Sequence, residues 1–218
     1  MNVRVLLVDD HRIFCDGVKL LLEREPHLEV VGIAGDGREA VLLAGRLRPE
    51  VVVMDVVMPG LNGVEATRQI LQTLPQTKVI ALSMHGDRRS IDGMLRAGVA
   101  GYLVKECAAD DLVRAIQMAM SGKVFLSPEV ASILVQGYAH PQEENGVGTH
   151  AGLTSREMEV LQLLAEGHST RDISLTLHIS IKTVESHRRQ IMEKRRLKSL
   201  ADLTKYAIRE GITTLGSC

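Results

Sequence analysis

Apolar and polar positions in the first 125 residues follow two alternating patterns. Five short runs are almost continuously apolar and rich in β-branched residues, at residues 3–8, 29–34, 51–55, 78–83 and 99–105. Between these runs, apolar residues recur at helical spacing, as Phe14, Val18, Leu21 and Leu22 do. Unbroken apolar strands suit a sheet that is covered on both faces. Five successive strand–helix units therefore predict an α/β fold with a doubly wound, five-stranded parallel sheet.

The pattern changes after the fifth strand–helix unit. One further helix is predicted at about residues 128–136, with Pro128 in its first turn. A polar, glycine-rich segment follows it and is typical of a flexible linker. Beyond the linker, four helix starts are marked by a hydroxyl side chain at the capping position: Thr154, Ser169, Ser180 and Ser199. We therefore expect three parts, namely residues 1–122, a linker at 123–152, and a small all-α unit at 153–214.

The second and third helices of the all-α unit are joined by a short turn at about His178–Ser180. Such a turn between two helices is typical of a helix-turn-helix arrangement. The third helix, predicted at Ile181–Arg196, carries most of a basic cluster, because Lys182–Lys198 holds seven basic residues against two acidic ones. A basic helix in this position indicates binding in the major groove of double-stranded DNA.

The formal net charge of −1 hides this asymmetry. Residues 151–218 hold 11 Lys and Arg against 8 Asp and Glu, a net of +3, so residues 1–150 carry −4. A near-neutral total therefore does not exclude a polyanionic partner. The aromatic content of 2% argues against a platform of stacked rings for single-stranded nucleic acid.

Several classes of protein are disfavoured by what the sequence lacks. No apolar run approaches the roughly 18–20 residues that a membrane span needs, and the first apolar run meets Asp9 too early for a signal peptide. The three cysteines, Cys15, Cys107 and Cys218, are far apart and form no metal-binding or redox pattern. We therefore expect a protein of the reducing cytoplasm.

Polar residues end or follow four of the predicted strands. They are Asp9 and Asp10 after the first, Asp55 in the third, Ser83 in the fourth and Lys105 in the fifth. Doubly wound sheets bind their ligands beyond the carboxyl ends of the strands. Three carboxylates in one small site repel one another unless a cation is bound, and their hard oxygens suit Mg²⁺.

Four stretches together resemble the receiver domain of response regulators. They are Val5–His11 (VLLVDDH), Val52–Gly63 (VVMDVVMPGLNG), Ala81–His85 (ALSMH) and Gly101–Lys105 (GYLVK). The resemblance covers about residues 1–122 and implies that Asp55 is the phosphoacceptor. The Mg²⁺ ligands that it implies are Asp10, Asp55 and the backbone carbonyl of Val57, with Asp9 acting through water. It also implies that Ser83 and Lys105 contact the phosphoryl group.

Three positions near this site leave alternatives open. By resemblance, Tyr102 is an aromatic switch that turns inward behind Ser83; the alternative is a partly exposed strand tyrosine. Glu106 stands where many receivers have proline, so a cis bond after Lys105 is not assured. His85 either orients water or is simply solvated.

The C-terminal unit resembles a LuxR-type DNA-binding domain, through Leu153–Leu161 (LTSREMEVL), Ala165–Ser169 (AEGHS) and Ile179–His187 (ISIKTVESH). The base-edge contacts that the resemblance implies are Glu185, Ser186 and Arg189, and the phosphate contacts are Lys182, Thr183, Arg188 and Lys194. Val184 and Ile191 are expected in the core. Arg189 suits guanine, whereas Glu185 either accepts from cytosine or forms salt bridges with its neighbours.

The fourth helix of this unit shows a further apolar stripe. We expect part of it, Leu200, Leu203 and Ala207, to form a dimer surface, as in proteins that the chain resembles. A dimer would bind two half-sites about one helical turn of DNA apart.

Taken together, the two parts resemble response regulators of the NarL/FixJ class. The implied function is a transcriptional regulator that is phosphorylated on Asp55 by a sensor histidine kinase and then dimerises and binds promoters. It is not expected to be an enzyme beyond promoting its own Mg²⁺-dependent phosphorylation and dephosphorylation. Two other classes remain: an aspartate-based phosphatase, and a DNA-binding or scaffolding protein whose pocket is vestigial.

Overall fold

The computed structural model describes residues 2–84, 86–106, 109–139 and 152–214. The chain separates into two compact units, one for the alternating strands and helices and one for the C-terminal helices. His85, Cys107, Cys218 and residues 140–151 of the predicted linker lie outside the described residues.

The first unit is a parallel sheet with connecting helices. Its elements are β1 (Val3–Val8), α1 (Arg12–Leu22), β2 (Leu28–Ala34), α2 (Gly37–Leu47), β3 (Val51–Asp55), α3 (Gly63–Thr73), β4 (Lys78–Ser83), α4 (Arg88–Ala97), β5 (Gly101–Val104), α5 (Ala109–Met120), β6 (Phe125–Leu126) and α6 (Pro128–Ala139). The strands lie side by side in the order β2-β1-β3-β4-β5-β6, and every neighbouring pair is parallel. The expected doubly wound α/β class is confirmed.

The described part of the sheet has six strands, so the expected count of five is wrong. The sixth, β6, has two residues and pairs with β5 through Gly101–Phe125 and Tyr102–Leu126. Two residues are too few to show a strand period in a sequence, because the pattern needs at least four alternating positions. The following helix, α6, is also longer than expected, since it continues to Ala139.

The strands are apolar because both faces of the sheet are covered. Consecutive residues of a strand point to opposite faces. In β1, Val5, Leu6 and Leu7 are nevertheless all buried, as are Val51 and Val52 in β3. This burial on both faces is what the continuous apolar runs predict.

The second unit contains α7 (Ser155–Ala165), α8 (Thr170–Leu177), α9 (Ile181–Arg195) and α10 (Leu200–Arg209). All four expected capping residues accept a hydrogen bond from a backbone N–H in the first turn: Thr154, Ser169, Ser180 and Ser199. The helix α9 ends one residue earlier than expected, because Arg196 adopts a left-handed conformation (φ 54°) and caps the helix. The core includes Leu161, Leu164, Ile173, Leu177, Val184, Ile191, Leu203 and Ala207.

Candidate functional site

The carboxyl ends of four adjacent strands bring the expected polar residues to one edge of the sheet. Asp9 follows β1, Asp55 ends β3, Ser83 ends β4 and Lys105 follows β5. Asp9, Asp55 and Ser83 are all buried. The backbone N–H of Lys105 donates to the carbonyl of Ser83 at 2.8 Å, so the ends of β4 and β5 stay in register up to this point.

Lys105 lies between two of the carboxylates. Its Nζ is 2.6 Å from Oδ2 of Asp9 and 2.7 Å from Oδ2 of Asp55. The ring of Phe14, from α1, packs against the same ammonium, with its centroid 4.8 Å from Nζ. The lysine therefore links the ends of β1, β3 and β5 through charge.

Burial and neighbouring opposite charge shift the pKa values of Asp55 and Lys105 in opposite directions. Burial raises the pKa of the Asp55 carboxyl, and the hydrogen bond from Lys105 offsets only part of that rise. For Lys105, burial alone would lower the pKa, but the hydrogen bonds to Asp55 and Asp9 and their charges outweigh it, so that its pKa is raised. The ammonium is therefore held in its charged form, as a counter-charge for the carboxylates.

Asp10 and His11 lie at the exposed side of the same pocket. The Nδ1 of His11 is 3.0 Å from Oδ1 of Asp10 and 3.2 Å from Oδ1 of Asp9. His11 directly follows the acidic pair but was not among the predicted site residues. One donor atom each from Asp9, Asp10, His11 and Asp55 lies within 4.8 Å of the others.

These donors fit a small divalent cation. Asp9, Asp10 and Asp55 bring three negative charges, whereas Lys105 supplies one positive charge. A divalent ion would neutralise the excess, and carboxylate oxygens are the ligands that Mg²⁺ prefers. The acidic cluster on which the Mg²⁺ expectation depends is thus present. Val57 is half-buried in the loop after β3, and its carbonyl remains a predicted ligand.

The loop after β3 packs tightly against the start of α3. The Oδ1 of Asp55 accepts the Val56 N–H at 2.7 Å, and the Gly63 N–H donates to the Val56 carbonyl at 2.9 Å. A Cβ on Gly63 would lie 1.9 Å from the carbonyl oxygen of Asp55. Gly63 is therefore required by this close approach, a role that its position in the sequence did not indicate.

Tyr102 lies in β5 with its side chain fully buried. It pairs in register with Ala81 of β4, two residues before Ser83. Burial raises the pKa of its phenol. The alternative of a partly exposed strand tyrosine is wrong, whereas a switching role stays a prediction. Each described peptide bond, including the one after Lys105, is trans.

The recognition surface expected on α9 faces away from the core of the second unit. Val184 and Ile191 are buried, as predicted, and pack in that core. Glu185, Ser186 and Arg189, the expected base contacts, are all exposed. Their accessibility fits the predicted role, which itself stays a prediction.

The four expected phosphate contacts differ in their surroundings. Lys182 is exposed, and Arg188 is half-buried. The hydroxyl of Thr183 is 2.8 Å from that of Ser180, so it takes part in the cap of α9. The Nζ of Lys194 lies 2.8 and 2.7 Å from the two carboxylate oxygens of Glu157 in α7. Lys194 is therefore already paired within the protein.

Only one of the three residues expected to form a dimer surface on α10 is accessible. Leu203 and Ala207 are fully buried, because α10 uses them to pack in the core of the second unit. A helix in so small a unit needs its apolar stripe for that core, which the sequence pattern alone could not distinguish from a dimer surface. Leu200, at 44% exposure, is the member of the predicted set that remains accessible.

Two family models match the chain, one in each unit. The model of the response regulator receiver domain matches residues 5–117. The model of bacterial regulatory proteins of the luxR family matches residues 151–207. Among the described residues, no helix is long and apolar enough to cross a membrane.

Similar proteins match over nearly the whole chain. The transcriptional regulatory protein DegU of Brevibacillus brevis is 37% identical, with 96% of this chain and 94% of that protein aligned. The transcriptional regulatory protein LiaR of Bacillus subtilis is 39% identical, with 95% and 97% aligned. A solved structure described as two RcsB dimers bound to two parallel DNAs is 27% identical, with a TM-score of 0.60 and 94% and 98% of the two chains covered.

Proposed function

The chain belongs to the response regulators of the NarL/FixJ class, which join a receiver domain to a LuxR-type DNA-binding domain, and on this premise we propose that phosphorylation of Asp55 controls its binding to promoter DNA. As a member of the class it is a transcriptional regulator that works with a sensor histidine kinase. The observation that carries the proposal is the pocket in which Asp55, Asp9 and Lys105 meet.

The chemistry of the pocket suits transfer of a phosphoryl group. A carboxylate oxygen of Asp55 attacks phosphorus, and the bond from phosphorus to the donor breaks in line with it. The product is an acyl phosphate on Asp55. With acetyl phosphate as the donor, acetate leaves. With a phosphohistidine of the kinase, the imidazole leaves and takes up a proton.

The groups around Asp55 have distinct proposed roles. Asp10, Asp55 and the Val57 carbonyl would hold Mg²⁺ directly and Asp9 through water. The bound ion would supply charge neutralisation for the phosphoryl oxygens. The Lys105 ammonium, which stands 2.7 Å from Asp55, is placed to pair with the same oxygens. The hydroxyl of Ser83 would donate a hydrogen bond to the phosphoryl group.

Phosphorylation would then favour a different conformation of the receiver. An aspartyl phosphate adds charge and hydrogen-bond acceptors that draw Ser83 and Lys105 toward it. Tyr102 pairs with Ala81, two residues before Ser83 on the neighbouring strand, and would move together with Ser83. We propose that residues 1–122 act as this receiver, residues 123–152 as the linker and residues 153–214 as the DNA-binding domain.

The helix α9 is the proposed reading element. Its exposed residues Glu185, Ser186 and Arg189 would enter the major groove, with Lys182, Thr183 and Arg188 at the phosphates. RcsB, which this chain resembles, has been solved as dimers on DNA, and we propose a homodimer here as well. Because the bacterial chromosome lies in the cytoplasm, we assign the protein to that compartment.

The decisive test is the phosphoacceptor. Full-length wild-type protein incubated with radiolabelled acetyl phosphate and Mg²⁺ should take up label, and Asp55→Asn should take up none. The matched control is Asp110→Asn, which alters an exposed carboxyl and should label normally. Labelling that persists in Asp55→Asn would exclude the assignment. Rapid turnover of a generic phosphomonoester by the wild type would instead favour a phosphatase.

A further inference from the structure

We propose that Glu157 of α7 is a positioning residue for the recognition helix α9, and that Lys194 serves as its anchor on that helix instead of contacting a DNA phosphate. The proposal rests on the proposed DNA binding by α9. It concerns how the base-reading side of that helix is fixed relative to the rest of the second unit.

The pair is close and asymmetric in its burial. The Nζ of Lys194 is 2.8 Å from Oε1 and 2.7 Å from Oε2 of Glu157. The carboxylate of Glu157 is 2% exposed, whereas the side chain of Lys194 is 40% exposed. A buried carboxylate that lost this partner would be left without its counter-charge, which is costly. The ion pair with Lys194 is therefore favoured over a contact of the lysine elsewhere.

Glu157 is itself held in place by the start of α7. Its Oε2 accepts the Thr154 backbone N–H at 2.7 Å, and its own N–H donates to the Thr154 hydroxyl at 3.2 Å. Burial would raise the pKa of this carboxyl, but the hydrogen bonds from Lys194 and Thr154 outweigh it, so that its pKa is lowered. One fixed carboxylate thus joins the cap of α7 to the last turn of α9.

The anchor acts on the rotation of α9 about its own axis. At about 100° per residue, Val184, Ile191 and Lys194 lie on one side of the helix, and their mean direction is about 180° from that of the expected base contacts. Val184 and Ile191 provide apolar packing, which resists separation but allows small rotations. The ion pair adds a directional contact one turn beyond Ile191.

Small rotations matter for base reading. A rotation of about 10° moves a group about 6 Å from the helix axis by about 1 Å. Functional groups need to be held within about 0.5 Å of their working geometry. A shift of this size would weaken a bidentate contact such as that of Arg189 with guanine, while flexible lysines could still follow the phosphates.

A neighbouring contact supports the view that this end of α9 is fixed to the domain. The guanidinium of Arg195 lies 5.5 Å from the ring centroid of Tyr206 in α10. Consecutive residues of α9 are thus tied to two different helices, Lys194 to α7 and Arg195 to α10. A last turn used in this way is part of the domain's scaffold.

The test compares specific and random binding over a range of salt concentrations. The probes are a duplex that wild-type protein selects from a random pool and a scrambled duplex of the same length. Lys194→Met should reduce the ratio of the two affinities by about tenfold, as expected when one bidentate base contact weakens. The slope of log affinity against log salt should stay as in the wild type, because no phosphate contact has been removed. Lys194→Arg, which keeps the charge, should restore the ratio.

Two control variants define the alternatives. Lys182→Met should lower the salt slope by about one and leave the ratio unchanged, as a phosphate contact does. Lys205→Met removes an exposed lysine on α10 and should change neither quantity. If Lys194→Met behaves like Lys182→Met or like Lys205→Met, the proposal is wrong.

A second variant guards against misfolding. Glu157→Gln keeps an oxygen for the Thr154 N–H but removes the charge, and it should also lower the ratio at an unchanged slope. Simple destabilisation would lower both affinities together by reducing the folded fraction, and leave the ratio as it was. If the wild type binds no duplex at all, the proposed DNA-binding function has failed and not this inference alone.

Discussion

The two units place their charged residues in opposite settings. In the first unit, Asp9, Asp55 and Lys105 are buried together, and the one ammonium offsets part of the charge of the two carboxylates. In the second, Glu185 and Arg189 project from α9 into solvent, and the close pair of Glu157 with Lys194 lies on the other side of the helix. Chemistry in the pocket therefore depends on burial, whereas recognition depends on what remains accessible.

This difference sets the size of the effects that substitutions should have. Removing one member of a buried ion pair leaves an uncompensated charge in a poorly solvated place, which is costly. Exposed charges contribute little to stability, because water and salt already screen them. The pocket should thus respond strongly in stability and in phosphorylation, and the exposed face of α9 mainly in DNA binding.

The largest effect is expected for Lys105→Met. Without the ammonium, the carboxylates of Asp9 and Asp55 repel each other, and the free energy of unfolding of the first unit should fall by about 3–5 kcal/mol in chelator. Denaturation should also show that Mg²⁺ stabilises the variant more than the wild type. The ion binds the folded state, and in the variant it also replaces the positive charge that Lys105 supplies in the wild type. Equal stabilisation of both proteins by Mg²⁺ would contradict the claim that the buried carboxylates of the pocket depend on the charge of Lys105.

A matched lysine on the surface gives the baseline. Lys19 on α1 is 43% exposed and lies 3.7 Å from Glu23. Lys19→Met should change the free energy of unfolding by no more than about 0.5 kcal/mol, with no difference between chelator and Mg²⁺. An effect as large as that of Lys105→Met would show that burial isn't what distinguishes the pocket.

The next largest effect is expected for Gly63→Ala. The added Cβ would collide with the carbonyl of Asp55, so the loop after β3 must move, at a cost of about 1–3 kcal/mol. Labelling by acetyl phosphate should fall as Asp55 shifts. Gly17→Ala is the control, because nothing lies within 4 Å of its added Cβ on α1, and it should stabilise the protein by about 0.5–1 kcal/mol. Equal labelling of the two variants would contradict the role of Gly63.

The same contrast explains which features could be predicted from the sequence. The pocket residues were identifiable because parallel strands bring their carboxyl ends to one edge, so that Asp9, Asp55, Ser83 and Lys105 meet by topology alone. The strand β6 was missed because two residues carry no period. Leu203 was assigned to a dimer surface because an apolar stripe does not say what covers it. The partner of Lys194 was missed because Glu157 is 37 residues away along the chain.

Apart from the control variants, the smallest effect is expected at Glu157 and Lys194, where a buried carboxylate meets a partly exposed ammonium. Because the pKa of Glu157 is lowered on folding, its contribution is fully present above the ordinary pKa of 4.5 and is lost as the pH falls through the folded-state value. Glu157→Gln should therefore lower the free energy of unfolding of the second unit by about 1 kcal/mol at pH 7. The difference between the variant and the wild type should begin to shrink as the pH falls below 4.5 and should vanish only below the folded-state pKa of Glu157. Hydrogen exchange of the amides of α7 and α9, measured across this pH range, checks the expectation. A constant difference at every pH would mean that Glu157 acts through its shape alone and that its charge does not hold α9.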